Sequence, residues 1–189
     1  YEHIYVWNIG DFLDDNGRYR RNRSDSQQPL PEQVWHSFRF TNTSSAPLTT
    51  APAQFVKDGH IVGQDVCYYT SPGGESTVRI NRAMGIQAEQ AEFETERESN
   101  AARFFGDTYD KITVRGELKL CNSMNKSVTV EVTKLLSGKI VKTIGDPKIT
   151  VPAQGLRAVN PHHELVWTQS LDAEEETTLT YHYTVLVRR

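Results

Sequence analysis

Apolar and polar residues take turns along most of this chain, with a period of two. The stretch "LTYHYTVLV" puts Leu179, Tyr181, Tyr183, Val185 and Val187 on one side and Thr180, His182 and Thr184 on the other. "ITVRGELKL" sets Ile112, Val114, Leu118 and Leu120 against Thr113, Arg115, Glu117 and Lys119, and "VTVEV" aligns Val128, Val130 and Val132. Side chains alternate across a pleated strand, so each run predicts a strand with one packed face and one wetted face. "EHIYVWNI" reads the same way. "VWHSFRFTN" carries aromatics on both faces: Phe38 and Phe40 follow Val34 and His36, and Trp35 lies opposite.

Between these runs lies turn chemistry. "NSMNKS" from Asn122 separates two strands, "LSGK" around Gly138 reads as a hairpin tip, and "TIGDP" around Gly145 reads as a further turn. Pro72-Gly73-Gly74 supplies positive φ at little cost. Asp58-Gly59 joins two short strands, Asp-Gly being a strong hairpin signal. "DDNGRYRRNRSDSQQPLPEQ" is a long polar loop. "AEQAEFETERESNAARFF" has helix-forming composition but no apolar stripe at helical spacing. At period two, Ala91 and Phe93 share one face and Glu92, Glu94 and Glu96 the other, which predicts an extended, partly exposed strand; a short charged helix is the alternative.

The fold class expected is therefore all-β and antiparallel, with two closely packed sandwich-like (immunoglobulin-like) halves. The division falls near "NAARFFGDTYD", giving residues 1–104 as an N-terminal β subdomain with a long polar loop and 105–189 as a C-terminal β-sandwich subdomain, or one continuous domain. A piece of that C-terminal size buries proportionally little surface alone, so the halves should pack together.

Composition narrows the classes. The chain has 189 residues, 37% hydrophobic and 24% charged, with a formal net charge of −3. That balance supports a packed core and argues against nucleic acid, whose partners carry a basic stripe. The one basic cluster, "RYRRNR" from Arg18 to Arg23, reads as a solvated loop. No run of ~18 apolar residues predicts a membrane-spanning helix. Cys67 and Cys121 are too few for a four-cysteine zinc site, and a chain this long builds a core without a staple, so free thiols are expected. The chain opens on Tyr1 and enters strand-like sequence at once. It reads as a mature product or a piece of a longer protein, which leaves its location open.

One region carries a resemblance. "FRFTNTSSAPLTTAPAQFVKDGHIVGQDVCYYTSPGGESTVRI" orders an alternating strand, Asn42 and Ser44, Pro47-Leu48-Thr49, an apolar strand, Asp58-Gly59, Gly63, a tyrosine and Pro72-Gly73. "TVRGELKLCNSMNKSVTVEV" adds a strand-Asn-turn-strand unit, and "ELVWTQSLDAEEETTLTYHYTVLV" a Trp-bearing strand before a Tyr-rich one. Over about residues 30–189 this resembles the C-terminal region of mucoidy-inhibitor-A-like proteins, a bacterial family of unknown function. Ala51-Pro52-Ala53 departs from it, standing where the family often has a glycine. Such proteins often carry a coiled-coil part ahead of this region. The resemblance implies an all-β architecture and a link to the bacterial envelope or surface, and it carries over no catalytic residue.

Several residues could bear chemistry. His162, His163 and Glu164 look like the start of a metal site, but adjacent histidines on a strand point apart, so His162 and Glu164 would need a third ligand from elsewhere. Asp14-Asp15-Asn16-Gly17 offers oxygens for calcium but lacks the regular ligand ladder of a helix-loop-helix site; a polar turn is the plainer reading. His3, His36 and His60 have no partner at a telling spacing, and His182 should face solvent. No nucleophile elbow occurs, and "SPGGES" lacks the Gly-Lys-Ser/Thr ending of a phosphate loop. Asn22, Asn42 and Asn125 begin Asn-x-Ser/Thr sequons. Trp35, Tyr68, Tyr69, Tyr181 and Tyr183 could line a sugar-binding face, or fill a core. No catalytic residue, cofactor site or metal ligand is assigned. The function expected is a non-enzymatic structural or protein-interaction module of a bacterial envelope or surface protein. Its partner would be another protein or the rest of its own longer chain. A carbohydrate-binding module is the alternative, and a hydrolase the third reading.

Overall fold

The computed structural model describes residues 1–11, 13, 16–18, 33–152 and 158–189, and the facts below concern those residues. Every regular element is a strand: β1 (Glu2–Ile9), β2 (Val34–Thr41), β3 (Ala51–Lys57), β4 (His60–Cys67), β5 (Glu75–Arg82), β6 (Ile86–Phe104), β7 (Asp107–Asn122), β8 (Val128–Ser137), β9 (Lys139–Thr143), β10 (Lys148–Thr150), β11 (His162–Leu171) and β12 (Glu176–Arg188). The acid-rich stretch read as extended is β6, bulged near Glu94 and again between Glu98 and Ala102. No described helix is long and apolar enough to cross a membrane.

Three sheets result. A six-stranded sheet runs β10-β11-β8-β1-β2-β5, a four-stranded sheet runs β6-β7-β12-β9, and β3 and β4 form a two-stranded ribbon. The first two share one core. The inward positions of β7 and β12 named by the alternation, Ile112, Val114, Leu118, Leu120, Leu179, Tyr181, Tyr183, Val185 and Val187, are all buried there. Trp7, Val130, Val132, Leu165 and Trp167 meet them from the other sheet. In register, Trp7 and Trp167 flank Val132 on either side, so one row of large side chains crosses the sheet. Burying each such side chain contributes about 1.5–3 kcal/mol.

The close packing expected between the two segments takes the form of a shared sheet. β1, β2 and β5 come from one side of the expected division and β8, β10 and β11 from the other. They join where β1 runs parallel to β8, Tyr5 to Ile9 beside Val130 to Lys134. The other named pairings are antiparallel. On the outer face Arg39 of β2 straps four strands, its guanidinium lying 2.8 Å from Glu131, 3.4 Å from Glu75 and 3.7 Å from Glu2. Gly138 is not the hairpin tip expected: β9 pairs with β12, so the chain changes sheets there instead of folding back on β8.

Two loops repeat one device. Asn42 accepts a hydrogen bond from the amide of Ser44 and donates to the carbonyl of Ala46. Asn122 accepts from the amide of Met124 and donates to the carbonyl of Lys126. Both asparagines are buried, and each satisfies loop amides and carbonyls that water cannot reach. The Asn42 amide nitrogen also donates to Thr70, so this sequon residue is committed to the fold. Asn125 lies exposed in its turn, and Asn22 lies outside the described residues.

Two of the hairpins close on turns with positive φ at both central residues. Asp58 and Gly59 close the β3–β4 hairpin as expected, at 51° and 78°. Phe105 and Gly106 close β6–β7 at 52° and 88°. A two-residue turn of that kind favours Asn, Asp or Gly at its first position, and a bulky residue there costs about 1–2 kcal/mol.

The ribbon docks on β2 and β5 through the face bearing Phe55, Gly63, Asp65 and Cys67. The Phe55 ring meets Phe38 edge-on at 5.7 Å, and Asp65 accepts from both the backbone amide and the Nε of Arg79. Gly63 permits that approach: a Cβ there would stand 2.1 Å from the carbonyl oxygen of Ile80. Gly63→Ala should therefore lift the ribbon at a cost of about 1–3 kcal/mol. Hydrogen exchange should show the β3–β4 amides losing protection while β7 and β12 keep theirs; unchanged ribbon protection would contradict this docking.

Candidate functional site

On β8 the inward alternation Val128, Val130, Val132 continues for two more steps, to Lys134 and Leu136. Lys134 is thereby carried into the core, where it is 1% exposed. Its ammonium donates to the carbonyl of Gly10 at 3.1 Å and lies 3.5 Å from Glu92 of β6, in the opposite sheet. A charge so far from water persists only when paired and hydrogen-bonded.

Glu92 is well supplied. Its Oε1 accepts from the Tyr181 hydroxyl at 2.6 Å and from Gln90 at 3.3 Å, and its Oε2 accepts from the Tyr183 hydroxyl at 3.3 Å. Gln90 also donates to the Tyr181 oxygen at 3.1 Å. Register explains how Tyr181 reaches so far. Gly116 of β7 stands between Tyr181 and Glu92 in the strand ladder. A Cβ on Gly116 would meet the Tyr181 ring at 2.1 Å, so the glycine leaves room for the ring to lie across β7 and meet β6. Burial first, and then the Glu92 carboxylate, push the Tyr181 phenol far above its ordinary range, so it remains a donor.

Beside this cluster is a cavity of about 190 Å³, lined on its polar side by Asp11, Glu92, Glu94, Lys134 and Tyr183. That is smaller than the usual small-molecule pocket. An amine, two phenols, an amide and a carboxylate that satisfy one another form a polar strut between sheets. The Glu92 lone pairs used by three donors are unavailable to take a substrate proton.

A second polar group adjoins it. Ser137 donates a short hydrogen bond to Asp11 Oδ2, and its oxygen lies 3.3 Å from His162 Nδ1. Asp11 Oδ1 accepts from the amide of Leu13. Asp11 and His162 are 4.0 Å apart. With the Ser137 proton directed at Asp11, the imidazole is left to donate to the serine oxygen. Nucleophile activation needs the reverse, an imidazole that accepts the hydroxyl proton.

The residues singled out in the sequence fall as follows. His162 and His163 point to opposite faces of β11, in register with Ser137 and Leu136. His162 finds Asp11, and His163 turns inward with a buried Nδ1 that has no hydrogen-bond partner. Glu164 is not drawn into the Asp11–His162 group, and no three His, Cys, Asp or Glu side chains gather to hold an ion among the described residues. Asp14 and Asp15 lie outside the described residues. Cys67 and Cys121 are free thiols. The five aromatics considered for a sugar face do not form one: Tyr181 and Tyr183 are core, Tyr68 and Tyr69 are exposed, and Trp35 lies under Arg79 at 4.9 Å. His182 is half-buried on the outer face of β12, opposite Arg115 and Lys142 in register.

His3 and His36 correct the sequence reading. They are partners, with nitrogens 3.0 Å apart, because β1 pairs with β2 and sets them diagonally across the ladder. Tyr5 stacks on His36 at 5.0 Å. Of the glutamates that share a face of β6, Glu92 is the one engaged in this cluster, while Phe93 on the other face is exposed; extending the β8 alternation by two residues marks Lys134 as a lysine on an inward face. Comparison with protein-family models, curated proteins and solved structures finds no match.

Two outcomes are expected. Lys134→Met should cost about 2–4 kcal/mol in urea unfolding, since it leaves the partly buried Glu92 carboxylate without its ammonium. Adding Glu92→Gln should return part of that loss; strictly additive effects would show that the two groups are not coupled. The His36 imidazole is held below its ordinary value, first by burial and then by His3 and Lys126, against an opposing hydrogen bond with Asn81. The unfolded chain therefore binds the proton more readily. Stability should be complete above about pH 6.5 and fall as pH drops from there through the lower folded value. In His36→Gln that part of the acid slope should disappear; parallel profiles for the two proteins would rule the assignment out.

Proposed function

We propose that this chain is a non-enzymatic protein-association module, and that its contact surface is the β3–β4 ribbon. One observation carries the reading: the ribbon turns an apolar outer face and a bare edge to solvent. Val56 is 62% exposed and Ile61 60%, and the bulge residue Val62 and Val66 are exposed beside them. Clustered aliphatic side chains on one projecting element mark association surfaces more often than scattered single ones do. Among the described residues, β3 is hydrogen-bonded on one side only, to β4. Its free edge carries Pro52 and Lys57 as its only blunting residues, so most of its length can accept a partner strand. The ribbon's inner face is fixed by Gly63, Asp65 and Phe55, which holds the surface in place and lowers the ordering cost of binding.

The partner in this reading is another protein or a further part of the same longer chain. The resemblance over residues 30–189 supports a setting in a bacterial envelope or surface protein. A photo-reactive residue placed at Gln54 or Val56 in cells of the source organism should give a discrete protein adduct, and one at Glu174 should not. Val56→Lys with Ile61→Lys should abolish the adduct formed from Gln54. Stability should change by only about 0.5 kcal/mol, as for other surface substitutions. Equal labelling from ribbon and control positions would remove the proposal.

A further inference from the structure

His3 of β1 and His36 of β2 face each other at the rim of the shared core. The ladder sets Tyr5 directly opposite His36 and Phe38 directly opposite His3, so the two histidines meet on the diagonal. His3 Nδ1 and His36 Nε2 are 3.0 Å apart. The ring centroids are 5.1 Å apart, close to that separation plus the two ring radii. The nitrogens therefore meet edge to edge, with their in-plane directions converging, and the rings do not lie face to face. His3 is exposed and His36 half-buried among the described residues, so the pair sits at the surface.

The setting holds the His36 ring in place. Tyr5 stacks on it at 5.0 Å, and Asn81, opposite it in the β2–β5 ladder, hydrogen-bonds the imidazole. Ligating histidines rely on support of that kind to keep their orientation. Burial, then His3, then Lys126 hold the His36 imidazole below its ordinary value, so near neutral pH it is unprotonated and has a lone pair to offer. Beside His3 and Tyr5 an open cavity of about 230 Å³, bordered also by Lys126, Ser127 and Thr129, has room for water molecules. Two nitrogens bound at about 2.0–2.1 Å to one tetrahedral ion stand about 3.3–3.4 Å apart. The gap between the histidines needs to open by only a few tenths of an ångström to reach that spacing.

We propose that His3 Nδ1 and His36 Nε2 chelate a divalent transition-metal ion of the zinc class, with water in its remaining positions. One of the two facing nitrogens carries the proton that joins them in the free protein. When the ion enters, that proton passes to the other nitrogen of the same ring, and both imidazoles stay neutral. Imidazole nitrogen suits Zn2+ and its transition-metal neighbours, whereas Mg2+ and Ca2+ demand oxygen. Because the two ligands belong to neighbouring strands, the ion would also pin β1 to β2. The inference is independent of the ribbon and goes beyond the association reading.

The test is titration of the full chain with Zn2+, followed through the imidazole nitrogens by 15N NMR. His3 Nδ1 and His36 Nε2 should move together, and Mg2+ should leave both in place. His36→Gln and the exposed His3→Gln should each weaken Zn2+ binding by at least about tenfold, since one imidazole cannot chelate. His182→Gln, on another sheet, should bind as the parent does. Zn2+ should raise the urea midpoint of the parent and of His182→Gln, and leave that of His36→Gln unchanged. The proposal is overturned by facing nitrogens that Zn2+ does not shift, by an equal response to Mg2+, by full affinity in His3→Gln, or by His182→Gln weakening binding as much as His36→Gln does.

Discussion

The fold depends on one contact between distant parts of the chain, the parallel pairing of β1 with β8. β1 is the seam of the six-stranded sheet: β2 and β5 lie on one side of it, β8, β11 and β10 on the other. Its residues are buried on both faces, Trp7 toward the four-stranded sheet and Ile4 away from it. Strands buried on both sides cannot show a clean alternation, and "EHIYVWNI" accordingly mixes Ile4, Tyr5, Val6 and Trp7 without a polar residue between them. Without the seam, β2, β5 and the ribbon would be joined to the rest mainly through the chain leading into β6.

What the sequence made legible follows from that distinction. β7, β8 and β12 each have one wet face, so their period of two named the buried side chains residue by residue. β6 could be read as extended despite its glutamates because its few apolar residues fail the helical spacing, and pairing along β7 overrides the helix propensity. Asp58-Gly59 announced its hairpin because positive φ at two successive positions favours those residue types. The parallel pairing, the crossing of β9 to the other sheet and the His3–His36 contact were not legible. Each is set by which strand lies beside which, and nothing local to His3 records that β2 will place His36 against it. Lys134 is an intermediate case: its inward position was readable from the alternation, its carboxylate partner was not, since Glu92 reaches it from the other sheet.

The Lys134–Glu92 group gives the sandwich something apolar packing does not. Hydrocarbon faces of similar shape can slide against each other at small cost, whereas a buried ammonium must find its carboxylate. Tyr181 reaches Glu92 only because Gly116 sits beneath its ring, which ties the register of three neighbouring strands to one hydrogen bond. Such a group adds little net stability over a well-packed apolar substitute. It does penalise misaligned sheets, and that is the role its geometry supports here.

The treatment of the sheet edges points the same way as the exposed residues. β6 has a free edge 19 residues long, but two bulges and a run of glutamates spoil it as a template. β5 is shielded by β4, with Asp65 taking up an amide at Arg79. β10 is three residues long and β9 five, with Lys139 and Lys142 in the latter. β3 is the exception, a seven-residue edge with aliphatic neighbours and little charge. Among the described residues the other edges are blunted by length, bulges, charge or cover, and this one, on a firmly docked ribbon, keeps the backbone hydrogen-bonding capacity that an incoming strand needs.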